Sequence, residues 1–214
     1  MNSSNENLKK YYLRQLGIQR WELRKRSEVN TLNLLSQKVA SCTSCILHKT
    51  RTQTVFARGN PQAKVMVIGE APGFHEDQQG LPFVGKAGGL LDKMLACIGL
   101  TQEDVYIANV IKCRPPNNRD PEKAEIEACS NYLAEQITLI NPQCILAVGR
   151  FSGQFLIQQQ MPMHKMRNQV FTYKEKPVLV TFHPAYLLRN PNDKKKAFQD
   201  LIRLKSLMSN EKKT

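Results

Sequence analysis

The chain has 214 residues, 41% of them hydrophobic, and its 31 Lys and Arg against 18 Asp and Glu give a formal net charge of +13. This length is enough to bury the core of one α/β domain, and the positive charge favours a nucleic-acid partner over a basic surface that serves solubility alone. The sequence contains no apolar run near the ~20 residues of a membrane helix and no signal-peptide pattern, so we expect a cytoplasmic protein without a membrane partner.

Residues 1–40 differ from the rest of the chain and predict a basic helical annex. Leu13, Leu16 and Trp21 follow a partly helical spacing among many Arg and Lys, and Gly17 should break or bend the helix. We therefore expect two short helices that either contact DNA or pack on the main domain, and packing is favoured for Trp21. The main domain is predicted to span residues 41–209, followed by a disordered tail at 210–214.

After residue 60, short apolar strands alternate with helices. Strands are predicted at 64–69, 105–110, 144–149 and 178–182, and helices at 87–98, 122–140, 151–159 and 193–208. Continuous apolar strands separated by helices are typical of a parallel sheet with both faces covered. Ligands bind beyond the carboxyl ends of such strands, which singles out residues 69–73, 109–114, 149–151 and 183–186.

Six cysteines in a cytoplasmic protein indicate metal or cluster ligation rather than disulfides. Two of them form a C-x2-C turn before the first strand, a third follows the second strand, and a fourth lies in the long helix. Such a set can make a four-thiolate site, and the spacing leaves zinc and a [4Fe–4S] cluster equally open. Unrelated buried thiols are the alternative for the two distant cysteines. The four are Cys42, Cys45, Cys113 and Cys129.

The other two cysteines, Cys97 and Cys144, lie inside apolar runs. A cysteine in such a run usually behaves as a small hydrophobic residue of the core. We therefore predict that both are buried and that neither is a ligand.

The segment at 69–89, between the first strand and the next helix, reads GEAPGFHEDQQGLPFVGKAGG. Its glycines and proline shape a turn whose amides can face a ligand. The GxxxxGK[ST] pattern of a phosphate loop and the GxGxxG pattern of a dinucleotide site are both absent from it. Together with NVIKCRPPNNRDP at 109–121 and HPAYLLR at 183–189, the segment closely resembles the family 4, iron–sulfur uracil-DNA glycosylases. The resemblance covers about residues 41–205.

The resemblance implies a fold, a cofactor and an activity. The fold is a three-layer α/β/α sandwich with a four-stranded parallel sheet, in agreement with the predicted strands. The cofactor is a [4Fe–4S] cluster on Cys42, Cys45, Cys113 and Cys129. It is not needed for hydrolysis, so we expect it to tie the cysteine turn, the second-strand loop and the long helix together.

The implied activity is base excision repair of deaminated cytosine. Because a base inside a duplex cannot be attacked in place, uracil must first be flipped out of DNA. Hydrolysis of its N-glycosidic bond then leaves an abasic site. The expected partner is uracil-containing DNA, single- or double-stranded, and the enzyme is expected to act as a monomer.

The resemblance also implies the base pocket. Phe83 matches the residue that stacks on the flipped base, and Asn109, at a strand end, matches the amide that reads N3–H and O4 of uracil. Glu76 stands where the family blocks the methyl group of thymine. His183 matches the catalytic histidine, which stabilises the negative charge at O2 of the departing base. Backbone groups of the turn are expected to face uracil at Gly69, Ala71 and Gly73.

Each of these side chains also has a structural interpretation. Phe83 can be a core residue, Asn109 a turn former and Glu76 a surface carboxylate, and a histidine before proline, as at 183, is usually structural. The neighbouring Asp77 is expected only to order the loop. Motif and strand-end position together favour the functional interpretation.

The water-activating group is less well defined by the sequence. Relatives of family 4 carry a water-activating aspartate at the position of Ala71, where family 4 itself has alanine. Glu70, the residue before it, is the candidate catalytic base, and a structural role is its alternative.

A DNA-contacting surface is predicted just after His183. Tyr186 and Leu187, with Leu188, can form a wedge that fills the gap left by the flipped base, and Arg189 can bind a phosphate. The run Lys194–Lys196 either extends this surface or is an ordinary solvated helix face.

Two other functions fit parts of the sequence. A covalent uracil-trapping relative carries a histidine-bearing KRRIH-like insertion, which the stretch VIKCRPPNNRDP lacks. A non-catalytic nucleic-acid binder built on a zinc site remains the alternative from another class.

Overall fold

The structure, a computed structural model, describes residues 28–210. Most of the predicted annex, including Trp21, and tail residues 211–214 therefore lie outside the described residues. The end of the annex is helix α1 (Glu28–Ala40), which packs against the long helix of the main domain. Its Leu32, Leu35 and Val39 are buried, so this part belongs to the domain core.

Strands and helices alternate along the rest of the described chain. The strands are β1 (Arg58–Gly59), β2 (Val65–Gly69), β3 (Val105–Asn109), β4 (Cys144–Val148), β5 (Phe171–Tyr173) and β6 (Lys176–Thr181). The helices are α2 (Phe74–Gln79), α3 (Lys86–Ala96), α4 (Lys123–Ile140), α5 (Arg150–Ile157), α6 (Met163–Met166), α7 (Pro184–Arg189) and α8 (Lys194–Asn210). Short 3-10 turns lie at Ile46–Lys49, Pro116–Asn118 and Pro191–Asp193. All strands and helices predicted after residue 60 are present, with ends that differ by one or two residues.

In the described part of the chain the sheet has six strands, in the order β1-β3-β2-β4-β6-β5. The four central strands are parallel neighbours, whereas β1 and β5 pair antiparallel at the two edges. The sheet is therefore mixed and six-stranded, and the prediction of a four-stranded, all-parallel sheet was incomplete. The two unpredicted strands have two and three residues and lie partly exposed, so they carry no apolar run.

Side chains of the central strands alternate between two cores. Met66 and Ile68 of β2 pack with α1, α4 and α5 on one face. Val65 and Val67 of the same strand pack with α3, α7 and α8 on the other face. Helices thus cover both faces, and burying each such aliphatic side chain stabilises the fold by about 1.5–3 kcal/mol.

The two cysteines predicted for the core differ in the structure. Cys144 is buried in β4, as predicted, but Cys97 is exposed, so the prediction for Cys97 was wrong. Cys97 caps the C-terminus of α3, one residue beyond the helix, and lies off the buried stripe of Leu91 and Leu95. Within residues 28–210, no helix is long and apolar enough to cross a membrane.

The parallel strands place the predicted functional segments at one edge of the sheet. β2 and β3 end side by side, because Gly69 is in register with Asn109. β4 and β6 end at Val148 and Thr181, which are also in register. The four loops that follow these strands therefore converge.

Candidate active site

Asn109 lies at the carboxyl end of β3. The residue is only 2% exposed, and its Oδ1 has no hydrogen-bond partner within the described residues. A buried carbonyl without a partner costs about 1–3 kcal/mol. A Cβ at Gly69 would lie 2.4 Å from this oxygen and 2.6 Å from Cζ of Phe83, so only glycine lets Asn109 and Phe83 pack this closely against the end of β2. A ligand that donates a hydrogen bond would satisfy Oδ1.

Phe83 packs against Gly69 beside Asn109 and is fixed by its surroundings. Its backbone has φ 56°, a left-handed conformation that costs free energy in a bulky residue. Arg58 donates hydrogen bonds to the carbonyls of Pro82 and Phe83 and is anchored by Asp92 at 2.6 Å. At Gly88 a Cβ would lie 1.7 Å from the Phe83 carbonyl oxygen, so only glycine lets α3 approach this loop. The strained loop is therefore held in place from two sides.

His183 lies next to Phe83, with 5.7 Å between the ring centroids. It caps α7, and its Nδ1 accepts a hydrogen bond from Ala185 N–H at 3.1 Å. Burial, helped by the positive charge of Arg189, lowers its pKa to about 4. The imidazole is therefore neutral near pH 7, and with Nδ1 accepting, its proton is on Nε2.

Gly149 allows His183 to approach the end of β4. Its φ is +108°, and a Cβ there would lie 3.2 Å from Cβ of His183. Both the backbone conformation and the contact favour glycine. This restraint depends on tertiary packing, and the sequence analysis did not identify it.

Glu70 follows β2 directly and is half-buried. Burial and the like charge of Asp120, opposed by the positive charge of Arg150, together raise its pKa to about 7. Arg150 also forms a 3.5 Å ion pair with Asp120. A carboxyl with this pKa exchanges protons near neutrality, as a general base must.

Glu76 and Asp77 order the loops around the pocket. Glu76 accepts hydrogen bonds from Val84 N–H at 3.1 Å and Gly85 N–H at 3.5 Å, so it connects α2 to the loop that carries Phe83. Both carboxylate oxygens of the buried Asp77 accept from Thr52 N–H, which agrees with the predicted loop-ordering role. The connecting role of Glu76 was not predicted.

The remaining turn residues lie beside the pocket. Gly73 caps α2, and a Cβ on it would lie 2.7 Å from Oε2 of Glu76. Ala71 is half-buried and packs on the hydrophobic core. The structure thus brings Gly69, Phe83, Asn109 and His183 together and places Ala71 and Gly73 at the turn next to them.

The predicted DNA wedge is corrected by the structure. Leu187 is fully buried in the core of α3 and α8, so it faces away from any DNA. Leu188 is 45% exposed, and Arg189 is exposed beside it. Tyr186 stacks on Phe182 with 5.1 Å between centroids and donates its hydroxyl to Asp193. The exposed side of α7 is therefore formed by Leu188 and Arg189.

Four thiols line one cavity on the side of the sheet covered by α1 and α4. The cavity also contains Arg51, Lys112 and Tyr132. Arg51 donates to Sγ of Cys113 at 3.1 Å, and the Lys112 amide donates to Sγ of Cys129 at 3.3 Å. Within residues 28–210, no three His, Cys, Asp or Glu side chains are grouped tightly enough for a single metal ion. The four thiols are Cys42, Cys45, Cys113 and Cys129.

Burial raises the pKa of the Cys129 thiol to about 11 and also raises that of Cys113. In both cases other cysteines of the cavity raise the pKa further through like charge, so the sulfurs are within electrostatic reach of one another. A set of soft sulfur atoms surrounded by N–H donors and cations fits a multinuclear thiolate cluster.

Comparisons with known proteins agree with this arrangement. Residues 56–203 match the family model of the uracil DNA glycosylase superfamily. The chain is 43% identical to a type-4 uracil-DNA glycosylase of Sulfurisphaera tokodaii, over 84% of this chain and 86% of that protein. It is 40% identical to the type-4 enzyme of Archaeoglobus fulgidus, over 87% of this chain and 98% of the relative. The type-4 enzyme of Thermotoga maritima is 41% identical, over 84% and 96%.

Proposed function

The chain belongs to the uracil-DNA glycosylase superfamily, and we propose that it hydrolyses the bond between uracil and deoxyribose in DNA, leaving an abasic site. The observation that carries this proposal is the Oδ1 of buried Asn109, which has no hydrogen-bond partner among the described residues and lies with Phe83 against Gly69. Uracil N3–H donates to that oxygen, and the amide nitrogen donates to O4. Cytosine presents an acceptor at N3 and a donor at N4, so the same amide repels it.

We infer that the aromatic ring and the imidazole complete the pocket. Phe83 supplies a stacking surface, which contributes about 1–3 kcal/mol without selecting the base. His183 donates its Nε2 proton in a hydrogen bond to O2 of uracil, where negative charge develops as the bond to the sugar breaks. A neutral imidazole suits this role because it needs no proton uptake before the reaction.

Glu70 is the proposed base that activates the attacking water. The sugar carries positive, oxocarbenium-like charge in the transition state, and water attacks it from the face opposite to uracil. A carboxyl with a pKa of about 7 is half ionised at neutral pH and can accept the proton of that water. The ionised carboxylate also stabilises the positive sugar.

The exposed side of α7 and the start of α8 form the proposed DNA surface. Leu188 takes the wedge role, and Arg189, Lys194 and Lys195 are exposed cations that can bind phosphates. Lys196 is already paired with Asp193 at 2.8 Å and contributes less. The net charge of +13 favours approach to any polyanion.

We propose that Cys42, Cys45, Cys113 and Cys129 hold a [4Fe–4S] cluster. When bound, the cluster joins the turn after α1, the loop after β3 and helix α4, and it takes no part in hydrolysis. Protein purified without air should be brown and contain iron and acid-labile sulfide in equal amounts. Zinc in a colourless preparation would contradict the cluster and favour a zinc site.

The decisive assay incubates the protein with an oligonucleotide that contains one uracil and then cleaves abasic sites with alkali. We expect strand breaks at uracil in single strands and in U·G and U·A pairs. Matched oligonucleotides with cytosine or thymine at the same position should stay intact.

Two results would indicate a different function. DNA binding without strand breaks would indicate a non-catalytic DNA-binding protein. A protein–DNA adduct that persists in a denaturing gel would indicate a covalent uracil-trapping enzyme.

A further inference from the structure

A buried lysine, Lys112, binds the main chain of Asn109. Lys112 is 1% exposed, and its Nζ donates a hydrogen bond to the main-chain carbonyl of Asn109 at 2.7 Å. β1 pairs only with Tyr106 and Ile107, so it stops short of Asn109 on that side of the sheet. The ammonium therefore takes the place that a strand partner would have at this carbonyl.

The same ammonium is fixed by a second buried acceptor. Nζ of Lys112 donates to Oε1 of Gln136 at 2.5 Å, and Gln136 is fully buried in α4. The amide of Gln136 in turn donates to the Tyr106 hydroxyl at 3.0 Å and to the Phe56 carbonyl at 3.3 Å. The lysine side chain thus has one defined position, set by the long helix.

The main chain of Lys112 connects this network to the thiol cavity. Its N–H donates to Sγ of Cys129 at 3.3 Å, and its carbonyl accepts from Val55 N–H at 2.8 Å. Cys113 is the next residue in the chain. One residue therefore contacts both the main chain of Asn109 and a proposed cluster ligand.

We propose that Lys112 is a positioning residue that orients Asn109 for reading the pyrimidine edge and connects the pocket to the four-thiol cavity. A fully buried ammonium is costly, and an apolar side chain of similar length would fill the same volume without that cost. Nζ supplies what an apolar group lacks: a directed bond that fixes the end of β3 and with it the Asn109 side chain. The inference rests on the proposed function, because uracil is the base that Asn109 is proposed to read.

A double-mutant cycle tests this coupling. Lys112→Met keeps the length of the side chain and removes the ammonium. We expect its single-turnover rate on uracil DNA to fall about 10- to 100-fold, because a small misplacement of a binding group has effects of this size. Discrimination between uracil and cytosine should fall as well. In an Asn109→Ala background, the same substitution should change the rate less than about 3-fold. If Lys112 acts only through Asn109, removal of Asn109 already removes the effect of Lys112.

Further measurements separate positioning from a loss of structure. Visible absorbance per chain and the thermal midpoint should show that Lys112→Met keeps its cluster and fold. Calorimetric titration with free uracil should show about 10-fold weaker binding, independent of turnover. Lys165→Met, which removes one exposed lysine on α6, is the matched control and should behave as wild type.

If Lys112→Met loses its cluster or fold, Gln136→Leu replaces it in the cycle, since it frees the ammonium and leaves Lys112 in place. The proposal is overturned if either variant has the same effect with and without Asn109, or no effect on rate and uracil affinity. Wild-type protein that releases no uracil would instead refute the proposed function.

Discussion

The state of one imidazole proton decides how the pocket can act. His183 accepts from Ala185 through Nδ1, so only Nε2 can donate to a ligand. We expect His183→Ala to lose about 10²–10³ in single-turnover rate, the usual loss for one donor at a developing negative charge. His183→Gln, which can still donate from its amide, should retain more activity than the alanine variant. Circular dichroism should show that both variants stay folded, and an unchanged rate for His183→Ala would exclude the histidine from catalysis.

The pH dependence of the rate should come from Glu70 and not from His183. His183 has a pKa of about 4 and stays neutral above pH 5, whereas Glu70, at about 7, loses its proton in the neutral range. Only the ionised carboxylate can act as a base. The rate should therefore rise about tenfold per pH unit up to pH 7 and then level off. Single-turnover rates of wild type between pH 5 and 9 test this profile.

Glu70→Gln is the control for that profile, and the stability of both proteins is measured over the same pH range. Its rate should be lower and no longer change near pH 7. A raised carboxyl pKa means that the folded state binds the proton more tightly than the unfolded chain. Both proteins share the opposite contribution of His183, which adds stability as pH rises from about 4 to 6.5, so the difference between them isolates Glu70: relative to Glu70→Gln, wild type should lose stability as pH rises from about 4.5 to 7. An inflection near pH 7 that persists in Glu70→Gln would exclude Glu70 as the base.

Asn109→Asp is a single-residue test of the side-chain amide that is proposed to read the base. The substitution keeps the shape of the side chain but removes its N–H donor and adds a charge beside Phe83. We expect uracil excision to fall about 100-fold or more, because a buried group then faces O4 without a donor. Asn109→Ala should also be slow but should discriminate less between uracil and cytosine. A rate near wild type for Asn109→Asp would remove this residue from the pocket.

At the scale of single elements, the sequence predicts what is fully buried and misses what is half exposed. The central strands are continuous apolar runs, because both of their faces are covered. β1 and β5 have no such run and form only because a longer strand lies beside them. Helix α7 has six residues, too few for periodicity to show that Leu187 faces inward and Leu188 outward.

The candidate site also has a part that the sequence predicts and a part that only packing creates. Chain position at strand ends and the family motifs predicted Asn109 and His183, and the structure brings them to one edge of the sheet. The close packing of Asn109 on Gly69 depends on the register between β2 and β3, and the contact of Lys112 with Asn109 depends on α4. Such relations exist only after packing, so a single sequence cannot show them.

The connection between α2 and the Phe83 loop leads to a prediction for Glu76. Glu76→Ala removes the acceptor for Val84 and Gly85 N–H, which should lower the free energy of unfolding by about 1.5–3 kcal/mol. The loop should also loosen, and thymine should then be excised at a measurable rate. Glu76→Gln retains an acceptor oxygen and is the matched control. If the alanine variant still excises no thymine, Glu76 is not the residue that blocks the methyl group.

For the whole molecule, charge determines how DNA is approached. A net charge of +13 attracts phosphates of any sequence, whereas the pocket selects only the flipped base. Affinity for DNA and selectivity for uracil should therefore respond to different substitutions. Surface lysines should alter the salt dependence of binding, and pocket residues should alter the choice of base.

Salt dependence gives the corresponding test. The logarithm of the binding constant falls with the logarithm of salt concentration by about 0.7 per neutralised phosphate on single strands and about 0.9 on duplexes. Replacing Lys194 and Lys195 by Gln should reduce the slope by about 1.4 on single strands and about 1.8 on duplexes. Lys196→Gln is the matched control and should change the slope less, because Asp193 at 2.8 Å already compensates that charge. The excision rate at saturating DNA should stay unchanged in both variants, since none of these lysines is proposed to touch the base. Equal slopes for wild type and the double variant would place the DNA on another face of the protein.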